Sequence, residues 1–140
     1  MTMRTAHLVS LGIWLGIVAT EAVIELLPRR QPDLLPCTAR MHFWIDLCVE
    51  SPALIAVLAT GLCLAFAAPM NARLALKVAS GSAAVLANVI CIALVIDRDK
   101  ILHREDSAAG LRKRSGQIVV CAAAAIPFAV LSLFLGFGIL

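Results

Sequence analysis

Apolar residues are concentrated in four long segments, and the connections between these segments are short and polar. The segments run Ala6–Leu27, Met41–Ala68, Leu74–Ile96 and Gln117–Gly138. A helix needs about 20 apolar residues to cross the hydrocarbon core of a bilayer, so each segment predicts one transmembrane helix. The pattern therefore predicts an all-α integral membrane fold, a four-transmembrane-helix bundle that forms a single membrane domain over residues 1–140.

The second segment contains a proline, and two interpretations of it are open. A proline inside a spanning helix is tolerated as a kink, which predicts one long helix kinked at Pro52. Ser51 and Pro52 are also typical of a helix start, with serine as the N-cap and proline at the first helical position. In that alternative the span is only Pro52–Ala68, and Met41–Glu50 is an interfacial helix whose acidic side chains lie in water.

The distribution of basic residues predicts how the helices are oriented. Nine of the twelve lysines and arginines lie in the connections Pro28–Arg40 and Asp97–Gly116. Cytoplasmic loops carry an excess of Lys and Arg, so both connections should face the cytoplasm, with both termini outside. We therefore expect a multi-pass protein of the inner (cytoplasmic) membrane. The net charge of +3 is explained by this orientation, and no nucleic-acid partner is expected.

Five ionisable residues interrupt the first two apolar segments at four-residue spacing. They are Glu21 and Glu25 in the first segment, and His42, Asp46 and Glu50 in the second. Each such residue costs about 2.5–3.5 kcal/mol at the centre of a membrane helix, so protons, water or metal ions must compensate. The first two helices run in opposite directions, which brings all five residues to one depth in the cytoplasmic half of the membrane. Two polar residues of the later segments, Asn88 and Gln117, fall at the same depth.

The chemistry of these side chains predicts a divalent-metal site between the first two helices. Carboxylate oxygens with one imidazole nitrogen suit Zn²⁺, Mn²⁺ or Fe²⁺ better than Cu⁺, which prefers sulfur ligands. Four carboxylates carry a formal charge of −4, which two divalent ions would neutralise. We therefore expect metal ligation by Glu21, Glu25, His42, Asp46 and Glu50, with one or two ions and a role in metal-ion binding or transport.

Two short patterns resemble known metal-handling proteins. The His42-x-x-x-Asp46 pair resembles the ligand pairs of cation diffusion facilitators and other zinc transporters. Residues Arg4–His7, followed by Ile13–Gly16, resemble the opening helix of small bacterial copper-resistance-D-like membrane proteins. Both resemblances imply metal handling, and the second implies a bacterial inner membrane.

Two further functions remain open at this stage. Small multidrug exporters also have four short helices and a membrane glutamate in the first, so Glu21 could serve a proton-coupled small-molecule exporter. A membrane-embedded metalloenzyme with a metal-activated water and a lipid-like substrate is the third hypothesis. The sequence does not decide whether the protein is an enzyme.

Gly12 and Gly16 form a GxxxG motif on the face of the first helix opposite the acidic residues. This motif allows two helices to approach closely. It predicts either a homodimer through Gly12 and Gly16 or close packing within one chain.

Overall fold

The computed structural model describes residues 2–103 and 108–137, and nearly all of them are helical. There are five α-helices in these ranges: α1 (Met3–Arg30), α2 (Leu35–Ile45), α3 (Ser51–Ala67), α4 (Ala72–Leu102) and α5 (Ala108–Phe137). A 3-10 turn, Pro32–Leu34, precedes α2, and a π-helical turn, Asp46–Glu50, joins α2 to α3. The fold is therefore all-α, as the apolar pattern predicts.

The helices extend beyond the ends of the apolar segments, where capping side chains and an ion pair stabilise them. At the start of α1, the Thr2 side chain accepts a hydrogen bond from the backbone N–H of Thr5. At the start of α4, the Asn71 side chain accepts one from the backbone N–H of Leu74. These caps satisfy backbone N–H groups that would otherwise lack partners. Where α4 and α5 extend into the predicted connection, Arg114 Nη2 lies 2.6 Å from Asp97 Oδ2. The predicted end of the fourth segment, Gly138, lies outside the described residues.

The second apolar segment is helical without a break from Leu35 to Ala67. The π turn comes directly before Pro52, and the Ser51 hydroxyl donates to the Asp46 carbonyl at 2.7 Å. Proline lacks the N–H group that would bond to the carbonyl four residues earlier, and for Pro52 that carbonyl belongs to Cys48, inside the π turn. The solvated acidic side chains of the alternative interpretation are wrong, because Asp46 and Glu50 are each 2% exposed.

Four helical runs in the described part of the chain are long and apolar enough to cross a membrane. They are Met3–Arg30, Pro32–Ala67, Ala72–Leu102 and Ala108–Gly136. Large apolar side chains cover their outer surfaces; Phe66 is 87% exposed and Phe134 is 70% exposed. Such a surface would be a liability in water but is suited to lipid. These features are those of a membrane protein.

The helices form two pairs that meet mainly at one end of the bundle. α4 packs along α5 and α1 packs along α3, while α2 joins the pairs by packing against α4 and α1. A small apolar core of Trp14, Leu54, Val57 and Ala84 lies between the pairs. On one side of this core lie the buried acidic residues, and on the other side is a cavity of about 260 Å³.

Gly12 and Gly16 are both exposed on the surface of α1. A Cβ atom built at Gly12 or at Gly16 would have no atom of another helix within 4 Å. We propose that a second copy of the chain packs on this face, since a small-residue surface lets two backbones approach.

Replacing both glycines by leucine, Gly12→Leu with Gly16→Leu, should reduce the crosslinking yield between protomers in membranes, because the added side chains hold the helices apart. Ala22→Leu, an equally exposed change on another face of α1, should leave the yield unchanged. An unchanged yield in the double variant would contradict the proposed interface.

Candidate metal site

All five acidic and histidine residues singled out in the sequence come together inside the bundle. α1 supplies Glu21 and Glu25 from consecutive turns, α2 supplies His42, and the π turn supplies Asp46 and Glu50. None of the five is more than 6% exposed. The side chains have different roles, because Nε2 of His42 faces Glu21 and Asp46 whereas Nδ1 faces Glu25.

Nε2 of His42 faces Glu21 and Asp46. It lies 3.4 Å from Asp46 Oδ1 and 3.8 Å from Glu21 Oε2. One ligand atom from each of the three residues falls within 4.8 Å of the other two. With metal–ligand distances of about 2.0–2.2 Å, ligands around a tetrahedral ion are about 3.4 Å apart. Glu21, His42 and Asp46 are thus close to the spacing at which they could hold one metal ion.

Several carboxylate oxygens around this point have no hydrogen-bond donor. Both oxygens of Asp46 and Oε1 of Glu21 are buried and make no hydrogen bond. Leaving a buried polar group unsatisfied costs about 1–3 kcal/mol, and more if it is charged. These oxygens belong to the two carboxylates that face His42 Nε2, and Asp46 Oδ1 itself lies 3.4 Å from that nitrogen, so they mark where a cation or a proton is needed.

Nδ1 of His42 faces the opposite way, towards Glu25 and Arg98. It lies 2.9 Å from Glu25 Oε2 and 3.0 Å from Arg98 Nη2. A guanidinium has no acceptor, so Nδ1 either donates to Glu25 or accepts from Arg98. In the first arrangement Nε2 offers its lone pair to a metal ion. The structure thus places Glu25 on the far side of the imidazole from Glu21 and Asp46, where it orients the histidine.

Arg98 is the functional residue that the sequence analysis missed. Its side chain is completely buried, and Nη1 donates to Glu25 Oε1 at 2.7 Å and to Ser115 Oγ at 2.9 Å. Counting basic residues assigned it to a cytoplasmic connection, whereas α4 continues through it to Leu102. Helical spacing could have pointed to Arg98, because Asn88, Val95 and Arg98 lie on one face of α4. All three residues are buried.

Glu50 accepts hydrogen bonds from two neutral donors that lie outside the three-residue group. Its Oε1 accepts hydrogen bonds from Trp14 Nε1, at 3.2 Å, and from Asn88 Nδ2. The sequence placed Asn88 at the depth of the acidic residues, and the structure gives it this contact. Glu50 therefore has partners of its own and does not depend on a metal ion for them.

The other histidines lie elsewhere. His7 Nδ1 is 2.9 Å from Thr60 Oγ1 beside the cavity, and His103 is exposed with Nδ1 2.8 Å from the carbonyl of Asp99. In the part of the chain that the structure describes, Glu21, His42 and Asp46 form the one group of three such residues that could hold a metal ion.

Comparison of the chain with protein-family models, with curated proteins and with solved structures returns no match. The function must therefore be argued from the chemistry of the site.

Replacing Arg98 by methionine should strongly destabilise the fold. Arg98→Met leaves Glu25 buried without its charged partner, and removing one member of a buried ion pair costs about 3–5 kcal/mol. The free energy of unfolding, measured in detergent by denaturant titration, should fall by this amount. Adding Glu25→Gln should recover part of the loss, because the uncompensated charge is then removed.

Arg114→Met is the matched control. Its ion pair with Asp97 is partly exposed, and exposed pairs contribute about 0–1 kcal/mol. Equal losses in the two arginine variants would contradict the role assigned to Arg98.

Proposed function

We propose that this chain is an integral membrane protein that binds one divalent metal ion inside its helical bundle. The ion is held by Glu21, Asp46 and Nε2 of His42, and the function of the site is to bind or transport this ion. The observation that carries the proposal is the buried Glu21–His42–Asp46 group, whose ligand atoms lie within 4.8 Å of one another and whose two carboxylates have three oxygens without hydrogen-bond donors.

The charges of Glu21, Glu25, Asp46 and Arg98 sum to zero with one divalent ion. Arg98 compensates Glu25 through a direct hydrogen bond at 2.7 Å. A divalent cation compensates Glu21 and Asp46, with His42 neutral as a metal ligand must be. Glu50 accepts two N–H donors, which support a carboxylate without a metal. With Glu50 counted, one ion leaves a single negative charge, so the choice of one ion rests on the one three-residue group found among the described residues.

The arrangement around His42 resembles the way metal-binding histidines are usually supported. Such a histidine donates its second ring N–H to a carboxylate or carbonyl, which fixes the ring and its tautomer. Glu25 occupies that position, and Arg98 in turn fixes Glu25. Two carboxylates and one imidazole suit Zn²⁺, Mn²⁺ or Fe²⁺.

Three protein ligands favour an exchangeable ion over a structural one. Structural zinc sites use four protein ligands, whereas three ligands leave a position for water or another group. We propose on this basis that the ion is bound reversibly, as metal-ion transport requires. The site would lie in the cytoplasmic half of the inner membrane if the basic-residue distribution sets the orientation.

A proton-coupled exporter is the second candidate, and one observation favours it. The unsatisfied oxygen of Glu21 could be satisfied by a proton instead of a metal ion, which would make Glu21 a proton carrier. The metal-binding function requires that purified protein can hold a divalent ion, whereas the exporter function does not.

The metal content of protein purified without chelator tests the proposal. We expect stoichiometric binding when the protein is loaded with Zn²⁺ or Mn²⁺, and loss of that binding in the Glu21→Gln, Asp46→Asn double variant. Glu25→Gln should weaken affinity by about 10–100-fold, the usual effect of changing a residue that orients a ligand. Elemental analysis and titration calorimetry measure both effects.

Asp33→Asn is the matched control, because Asp33 is exposed and outside the cluster. It should bind metal like the unchanged protein. If the unchanged protein retains neither Zn²⁺ nor Mn²⁺, the metal proposal is refuted, and the exporter hypothesis takes its place.

A further inference from the structure

The cavity between the helix pairs has a polar mouth and an apolar floor. Its volume is about 260 Å³. Arg4 and Lys77 lie at its open end, and Trp14, Val57 and Ala84 line its inner end. Most of the remaining lining consists of leucine, valine, alanine and glycine. The cavity is therefore amphipathic along its length.

The depth of the cavity follows from the helices that line it. His7 and Trp14 are seven residues apart on α1, and Lys77 and Ala84 are seven residues apart on α4. At 1.5 Å per residue, both intervals correspond to about 10 Å. A depth of about 10 Å and a volume of about 260 Å³ leave room for a single short hydrocarbon chain.

The open end of the cavity carries positive charge without acidic side chains nearby in sequence. No Asp or Glu occurs among residues 1–20, 51–96 or 107–140, although Arg4 and Lys77 both lie in these ranges. The ion pairs observed among the described residues involve neither of these two cations. An anionic group bound at the mouth would pair with these two cations.

Two glycines leave room for the polar side chains at the mouth. A Cβ at Gly136 would lie 3.2 Å from Lys77 Nζ, and a Cβ at Gly61 would lie 3.2 Å from His7 Cε1. His7 is fixed by Thr60, whose hydroxyl donates to the Ala56 carbonyl and so accepts from His7 Nδ1. His7 therefore forms a wall of the cavity, and Arg4 and Lys77 are the groups available to an anion.

We propose that this cavity binds a single-chain anionic amphiphile, a fatty-acid carboxylate. The carboxylate lies between Arg4 and Lys77, and the chain extends to Trp14. Positive charge at the mouth opposes a cationic ligand, and the volume suits one short chain. This site is separate from the proposed metal site. The Trp14 side chain lies between the two, because it lines the cavity and its N–H group donates to Glu50.

Fluorescence of Trp14 tests both binding and orientation. Trp14 is 6% exposed whereas Trp44 is 51% exposed, so Trp44→Phe leaves one buried indole as the reporter. In nanodiscs of neutral phosphatidylcholine, 9-bromononanoate should quench Trp14 saturably, because its bromine reaches the floor. The isomer 2-bromononanoate, with bromine beside the carboxylate, should bind with much weaker quenching. Equal quenching by the two isomers would refute the orientation.

Two pairs of variants test the assigned residues. Lys77→Gln should raise the half-saturating concentration of 9-bromononanoate by about tenfold or more, the loss expected for a hydrogen bond to a charged group. Lys100→Gln, an exposed change at the far end of α4, should not alter it. Ala65→Phe fills the cavity and should abolish saturable quenching, while Ala59→Phe on the outer face of α3 should preserve it. If 9-bromononanoate quenches the Ala65→Phe variant as saturably as the unchanged protein, the proposal is overturned.

The head group and its source are tested by competition. Nonanoate should displace the brominated acid, whereas nonanol should do so far less effectively; equal displacement would refute anion recognition. Displacement by phosphatidylglycerol but not by nonanoate would overturn the single-chain assignment in favour of a phospholipid. Asp46→Asn should leave quenching intact, so failure of the metal proposal and failure of this one are distinguishable.

Discussion

His42 is the side chain on which the arrangement of the buried polar groups depends. Its two ring nitrogens face different carboxylates, with Glu25 on one side and Asp46 and Glu21 on the other. Inside a bundle whose outer surface is apolar, carboxylates without such partners would be strongly unfavourable. One imidazole thus connects an internally neutralised pair, Glu25 with Arg98, to a pair that still needs positive charge.

The two ends of the bundle differ in chemistry because the acidic residues are confined to one of them. Buried carboxylates, Arg98 and the α2–α4 contact hold the helix pairs together at that end. At the other end the pairs enclose an apolar cavity with cations at its mouth. Trp14 belongs to both regions, since its ring lines the cavity and its N–H group binds Glu50. A ligand in the cavity would therefore contact a residue that touches the acidic cluster.

The apolar pattern was sufficient to predict an all-α fold and four long apolar helical runs, because helices that face lipid must be apolar over their length. It was also sufficient to bring five ionisable residues to one depth. It did not predict their separate roles. Helical spacing puts Asp46 and Glu50 near each other but does not show which donors each one meets. In the structure Glu50 accepts from Trp14 and Asn88, which come from two other helices.

Arg98 shows a second limit of the sequence pattern, because hydropathy ends a membrane segment where charges begin. α4 instead continues beyond its apolar segment, and the guanidinium lies among the site residues. Only the positions of the carboxylates on α1 and of Ser115 on α5 explain why a charged side chain is buried there. Helical spacing puts Arg98 on the same face of α4 as Asn88, but only the folded structure shows that Arg98 meets Glu25.

The protonation and coordination of His42 test the central claim most directly. The chain has three histidines, so nitrogen-15 NMR of histidine-labelled protein resolves each ring, with His42→Gln for assignment. On addition of stoichiometric Zn²⁺, His42 should show a protonated Nδ1 and a metal-bound Nε2, while His7 and His103 stay unchanged. Unaltered His42 signals, or zinc bound through Nδ1, would contradict the account.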